Sequence, residues 1–211
     1  MFEKGIHSNT RKVLEEIKEL VNKEDFYLAG GTGLSLLLGH RESIDLDFFK
    51  VERFGEDMLE KSLAGINVSM KRECTLVGVK DGVNLSFMSY PYPLIENTLE
   101  FSGIKVASIL DIALMKLSAV SKRGARKDFI DLYFIIKDHL PLLGLINQFE
   151  KKFPNSENLI PHIIMSLSYF EDADKEADPV MFIDIKWGDI KTFFINESKQ
   201  VMEQLTLPHN L

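Results

Sequence analysis

A chain of 211 residues is long enough to bury a continuous core and to form one substantial domain with a smaller appendage. Acidic residues outnumber basic ones by 32 to 25, a formal charge of −7, so bulk charge does not draw the protein to nucleic acid and any RNA contact needs a local basic patch. The single cysteine, Cys74, excludes an internal disulfide and fits a reducing compartment; the first five residues lack the apolar stretch of a signal peptide, and no apolar run is long enough to span a bilayer. A cytoplasmic protein without a membrane partner is expected.

Ser8, Asn9 and Thr10 are suitable caps for a first helix in which Val13, Ile17, Leu20 and Val21 recur at helical spacing. The apolar run 26–29 stops at Gly30-Gly31, and residues 32–38 can start and carry a helix, so the glycines predict a strand-to-helix turn. Such a turn lets a phosphate approach the backbone closely, and the helix N-terminus adds unpaired N–H donors and partial positive charge. Gly30, Gly31 and Thr32 are therefore candidate nucleotide-binding residues.

In Ile44-Asp45-Leu46-Asp47-Phe48-Phe49 the alternation has period two, which puts Ile44, Leu46 and Phe48 on one face of a strand and Asp45 with Asp47 on the other. Two like charges so placed call for a counter-charge. Mg²⁺, commonly held by one or two carboxylates plus substrate phosphates, fits that need, which makes Asp45 and Asp47 candidate metal ligands and catalytic residues. Either half alone is explained as well by an ordinary turn or by an edge strand with a wet polar face. It is their order and spacing that point to a site for nucleotide and metal.

Residues 55–64 read as a weaker helix, and 66–71, 74–79 and 83–88 as strands, with Asp81-Gly82 a hairpin signal between the last two. On the last strand Val83, Leu85 and Phe87 share one face and leave Asn84 and Ser86 on the other. Pro91-Tyr92-Pro93 ends the ladder and a linker follows. Ser108-Ile109-Leu110-Asp111 resembles a capping box opening an apolar helix up to Lys122. Arg123-Gly124-Ala125 predicts a turn, and Lys127 begins a second helix. Further helices are expected over 142–153 and 159–170, then an acidic, solvated loop at 171–179, a terminal helix from Trp187 to about Leu205 and a loose tail from Thr206.

Lys116, Lys122, Arg123, Arg126 and Lys127 concentrate positive charge in an otherwise acidic chain, as a triphosphate requires. Lys116 interrupts an apolar stretch (Ala113, Leu114, Met115, Leu117) where a charge needs a reason; the alternative is a stem lying along the helix edge with its ammonium in water. Asp128 and Asp131, three apart, share a helix face. They read either as helix-dipole and ion-pair partners or as members of a site. The five histidines show no ligand spacing, and Cys74 lacks an evident base, so packing roles are expected for them.

Gly30-Gly31-Thr32 followed by Asp45-Leu46-Asp47 resembles the signature of the polymerase-β-like nucleotidyltransferase superfamily. Lys116, then Arg123, then Lys127-Asp128-Phe129-Ile130-Asp131 narrows the resemblance to the AbiEii/AbiGii toxin-type nucleotidyltransferases. The likeness runs loosely over residues 26–187, with these two clusters its specific parts. It implies an α/β (α+β) fold, with a nucleotidyltransferase-like mixed sheet flanked by helices at 1–106 and a helical C-terminal part at 107–211 packed against it. It further implies Mg²⁺-dependent transfer of an NMP from an NTP to a hydroxyl of an RNA or tRNA end or of a protein, with Lys116 serving the nucleotide phosphates, Asp128 the catalytic centre, and Arg123 and Lys127 nucleotide binding. A toxin role with a cognate antitoxin follows from the same likeness. The superfamily's third metal-binding carboxylate has no counterpart at Asn84 or Ser86. That departure keeps open a non-catalytic nucleotide-binding protein on the same scaffold and, as a third reading, a carboxylate metal hydrolase.

Overall fold

The structure is a computed structural model that describes residues 1–2 and 6–206; the expected loose tail beyond Thr206 lies outside them. The chain divides into two units, Met1–Ile112 and Ala113–Leu211. All seven strands found among the described residues belong to the first, and form one mixed sheet. No helix among the described residues is long and apolar enough to cross a membrane.

In the first unit, helix α1 (Ser8–Lys23) leads to a short strand β1 (Tyr27–Leu28), helix α2 (Gly30–Leu38) and strand β2 (Leu46–Lys50). Helix α3 (Glu56–Ser62) and strands β3 (Asn67–Arg72), β4 (Thr75–Lys80) and β5 (Val83–Ser89) follow. Strands β6 (Leu99–Phe101) and β7 (Ile104–Val106) complete a sheet of order β3-β4-β5-β2-β1-β7-β6. The β4–β5 hairpin turns at Asp81 and Gly82, both at positive φ (49° and 78°), as the Asp-Gly pair demands. β2 runs parallel to β5 and antiparallel to β1, so the two ends of the glycine turn and of the acidic strand meet at the sheet's centre.

Three local expectations are corrected. The acidic strand is shorter than its period of two suggests: β2 begins at Leu46, so Asp45 precedes it, and Ile44, read on its apolar face, is exposed. Residues 99–106, read as linker, form the β6–β7 hairpin around Ser102 and Gly103, again both at positive φ, and β7 adds to β1 in parallel. At the start of α1 the cap position is His7, whose Nδ1 accepts from the Asn9 N–H at 3.4 Å. The side chains of Asn9 and Thr10 instead reach the carbonyls of Asp81 and Ile44, so the helix is pinned to the loop that leads into β2.

One face of the sheet buries the core. Leu28, Leu46, Phe48, Leu76, Leu85, Phe87 and Val106 pack with Val13, Leu14, Ile17 and Val21 of α1. Phe87 is central: its ring stacks on Phe48 (5.1 Å between centroids) and meets Phe26 edge-on at 5.3 Å. By the period of two, Asp47, Asn84 and Ser86 then face the other way.

Helix α4 (Ile109–Arg123) spans the division between the units and is opened by Ser108, whose Oγ accepts the Asp111 N–H at 3.0 Å and donates to Asp111 Oδ2 at 2.9 Å. The buried Asp111 carboxylate also receives the N–H groups of Ile95 and Glu96, which fixes the chain after β5. In the second unit α5 (Arg126–Asp138), α6 (Leu142–Lys152) and α7 (Ile160–Ser166) pack against α8 (Trp187–Thr206), and the Phe129 ring of α5 lies 5.2 Å from Phe170, 5.9 Å from Trp187 and 5.5 Å from Phe194. The acidic loop is only partly solvated surface. Asp178 pairs with Arg126 (3.0 Å), whose guanidinium also lies over Trp187, and Asp174 accepts from the Trp187 indole at 2.7 Å.

Phe87→Ala removes the ring shared by Phe26 and Phe48 and is expected to destabilise the first unit by about 3–5 kcal/mol, read as a fall in the urea midpoint at unchanged slope.

Candidate active site

β1 is only two residues long because the chain must turn at once into α2. Gly30 makes that turn at φ +63°, a conformation costly for residues with a Cβ. A Cβ there would also run into the Asp47 carboxylate, and one on Gly31 would sit 2.5 Å from Arg41 Nη2 and 3.0 Å from Ser43 Oγ. Gly30 is thus required by its backbone conformation as well as by what lies against it, while Gly31 lets the Arg41 and Ser43 side chains approach the turn. The first intrahelical bond is Gly33 N–H to Ala29 C=O, 3.0 Å, so the N–H groups of Gly30, Gly31 and Thr32 precede the ladder and have no acceptor within the helix. They form a donor set at a helix N-terminus.

The acids close on this turn. The Ala29 N–H donates to the Asp47 backbone carbonyl (3.0 Å), and Asp47 Oδ2 lies against Gly30. Asp47 Oδ1 accepts from Ser86 Oγ at 2.5 Å, and Asp45 Oδ1 accepts from Asn84 Nδ2 at 2.8 Å. Thr32 is fully buried. Its hydroxyl lies 2.8 Å from Ser43 Oγ and bonds the Asp45 backbone carbonyl, so it ties the helix to the segment that carries the acids. Both carboxylates remain partly exposed. Two neighbouring carboxylates with hard oxygen donors beside a Cβ-free cradle fit a small divalent cation that completes its shell with water and phosphate oxygens. No group of three or more His, Cys, Asp or Glu placed to hold a metal occurs among the described residues.

The second unit carries a different arrangement. Gly124 (φ +56°) breaks the chain between α4 and α5, and the fold-back brings Lys116 Nζ to 2.7 Å from Asp128 Oδ1 and 2.6 Å from Asp131 Oδ2. Arg123 Nε donates to Asp128 Oδ2 at 2.8 Å and Nη2 to Oδ1 at 3.2 Å. Lys116 is 5% exposed and the two aspartates not at all, so its ammonium is held inside rather than extended to water. Two cations face two anions, which meets the requirement that buried charges be paired. Burial alone would push the Asp128 carboxyl up; the charge of Lys116, the Arg123 and Lys116 hydrogen bonds and the Arg123 charge outweigh it and hold the group below the ordinary carboxylate value. Lys127 lies exposed on the first turn of α5, and Arg123 keeps most of its side chain in solvent.

The sequence matches the model of the family described as "Nucleotidyl transferase AbiEii toxin, Type IV TA system" over residues 12–203. The chain belongs to that family. A relative in Aquifex aeolicus (strain VF5), an uncharacterized protein, is 37% identical over 203 residues, covering 92% of this chain and 96% of the relative. Two solved structures share the fold of this AbiEii-family chain. JHP933 from Helicobacter pylori superposes with a TM-score of 0.55 at 17% identity, over 97% of this chain and 94% of that one. MenT4, a nucleotidyltransferase toxin from Mycobacterium tuberculosis H37Rv, gives 0.54 at 10% identity over 96% and 86%.

Four residues of this AbiEii-family protein's first cluster were not among the candidates: Arg41, Ser43, Asn84 and Ser86. Arg41 is 4% exposed, with Nη2 against Gly31 and Nη1 donating to the Glu42 carbonyl at 3.0 Å. Its burial just after a helix end, with its carbonyl bonded by Ser35 Oγ, follows from tertiary placement, and no local pattern encodes it. The available signal was its sequence position between the glycines and the acids.

Lys116→Met leaves Asp128 and Asp131 buried with less compensation and is expected to cost about 3–5 kcal/mol in urea unfolding. Because the folded-state value of Asp128 is depressed, its contribution is fully present above the unfolded-state value near about pH 3.9 and disappears as pH falls through the folded value. The wild-type urea midpoint should therefore fall on acidification below about pH 4, and Asp128→Asn, less stable at neutral pH, should show a shallower acid decline.

Proposed function

We propose that this AbiEii-family chain catalyses Mg²⁺-dependent transfer of a nucleoside monophosphate from an NTP to an acceptor hydroxyl, with release of pyrophosphate. The observation that carries the reading is the approach of the Asp47 carboxylate to Gly30, which puts an anionic, oxygen-rich group beside a helix N-terminus with unpaired N–H donors. A phosphate chain needs both: donors for its oxygens and a cation to bridge it to the acids.

Asp45 and Asp47 would hold the cation, which when bound supplies charge neutralisation at the transferring phosphoryl group. The N–H groups of Gly30, Gly31 and Thr32 would bind phosphate oxygens. From the family resemblance, Lys116, with Arg123 and Lys127, serves the nucleotide phosphates and Asp128 the catalytic centre. Asp128 is fully buried with both carboxylate oxygens held by Lys116 and Arg123, and its depressed value makes it a weak base, which favours holding those two cations in place over deprotonating the acceptor. In the same reading the protein is the toxin of a toxin–antitoxin pair in the cytoplasm, with a cognate antitoxin and a tRNA end or a protein hydroxyl as acceptor. The net charge of −7 favours an acceptor contacted over a small surface.

A second reading has a specific observation in its favour. Asn84 and Ser86 stand beside Asp45 and Asp47 where the superfamily keeps an acid, as a non-catalytic nucleotide-binding protein would tolerate. Pyrophosphate release on adding total RNA or lysate protein separates the two.

Combined Asp45→Ala and Asp47→Ala is expected to reduce incorporation of labelled nucleotide to background while the circular dichroism spectrum is unchanged. Incorporation at the wild-type rate would rule the assignment out.

A further inference from the structure

The strand beside the acids carries two hydrogen-bond donors at the positions closest to them. In the parallel β2–β5 pair Asp47 lies opposite Ser86 and Leu46 opposite Leu85, so Ser86 and Asn84, two apart on β5, share the face of the carboxylates. Each donates to one carboxylate oxygen: Ser86 Oγ to Asp47 Oδ1 at 2.5 Å, Asn84 Nδ2 to Asp45 Oδ1 at 2.8 Å. Leu85, between them, is fully buried in the core, and Val83 and Phe87 on either side are buried as well, which fixes the strand's rotation and hence the direction of both donors.

A free carboxylate rotates about its terminal bond and offers either oxygen to a cation. Here one oxygen of each acid is engaged, and the Asp47 oxygen that remains, Oδ2, is the one lying against Gly30. The two donors also lower the repulsion between the acids without adding a third negative charge. A third carboxylate at either β5 position would bring the site to three anions, enough to hold a second divalent cation; a hydroxyl and an amide do not.

We propose that Asn84 and Ser86 are positioning residues that lock Asp45 and Asp47 in one orientation and make the carboxylate pair a site for a single divalent cation. The inference rests on the reading of the two acids as cation ligands given above. Donors bonded to ligating groups act through the ligand's direction and basicity, and their loss typically weakens metal binding by about 10–100-fold.

The test is a titration of the 211-residue chain with Mn²⁺ alone, followed by electron paramagnetic resonance of the free ion. The wild type should saturate at one ion per chain. Ser86→Ala and Asn84→Ala should each raise the Mn²⁺ Kd by about tenfold with unchanged circular dichroism, and Ser86→Thr, which keeps the hydroxyl, should bind as the wild type does. Asn84 is exposed, so its substitution tests the idea even if Ser86→Ala fails to fold. Unaltered Mn²⁺ affinity in Asn84→Ala and in a folded Ser86→Ala overturns the positioning role, and two ions per wild-type chain overturn the single-cation claim. If combined Asp45→Ala and Asp47→Ala leaves Mn²⁺ binding intact, or the wild type shows no saturable binding, what fails is the underlying assignment of the acids as ligands.

Discussion

The close approach of Asp47 to Gly30 is the constraint on which the rest of the first unit depends. β1 and β2 pair antiparallel with Leu28 opposite Phe48, and just beyond that pair the Ala29 N–H closes onto the Asp47 carbonyl. Nothing larger than hydrogen fits at Gly30, and the chain there takes a conformation that glycine adopts without strain. The buried Thr32 hydroxyl repeats the tie one residue pair further on, bonding the carbonyl of Asp45. Turn and acids are therefore a single rigid piece. A site whose donors and carboxylates are fixed before ligand arrives loses little to reorganisation when charge develops.

The apolar face of the same sheet makes this rigidity affordable. Phe48 and Phe87 belong to the strands that carry Asp47 and Ser86, and their stacked rings in the core hold β2 and β5 in the register that sets the polar pairs opposite one another. A slip of one residue would exchange the faces and send the carboxylates into the core. In the second unit the same economy appears in a different form: Lys116 and Arg123 leave Asp128 charged although it is wholly buried, and the tight Gly124 turn between α4 and α5 makes that meeting geometrically possible.

Much of this was legible in the sequence because it is encoded locally. The glycine pair, the period-two acids, the Asp81-Gly82 hairpin and the lysine in an apolar helix are each visible within a few residues, and the family likeness added the link between them. The β6–β7 hairpin was not, since two three-residue runs around Ser102-Gly103 are too short to establish a period. Nor was the His7 cap, because Asn9 and Thr10, the better capping residues, are drawn away to carbonyls distant in sequence. The bonds from Asn84 and Ser86 depend on a parallel register between strands almost forty positions apart, and no composition or spacing rule supplies a register. The burial of Arg41 against Gly31 belongs to the same class.

The central claim, that the Gly30 turn and the Asp45–Asp47 pair together seat a cation and a phosphate chain, is tested most directly by crystals of the protein grown with Mn²⁺ and a non-hydrolysable NTP analogue, using the anomalous signal of the metal. The account predicts a peak between the Asp45 and Asp47 carboxylates, with a phosphate group against the N–H groups of residues 30–32. A metal peak elsewhere, or a nucleotide bound away from that turn, would contradict it.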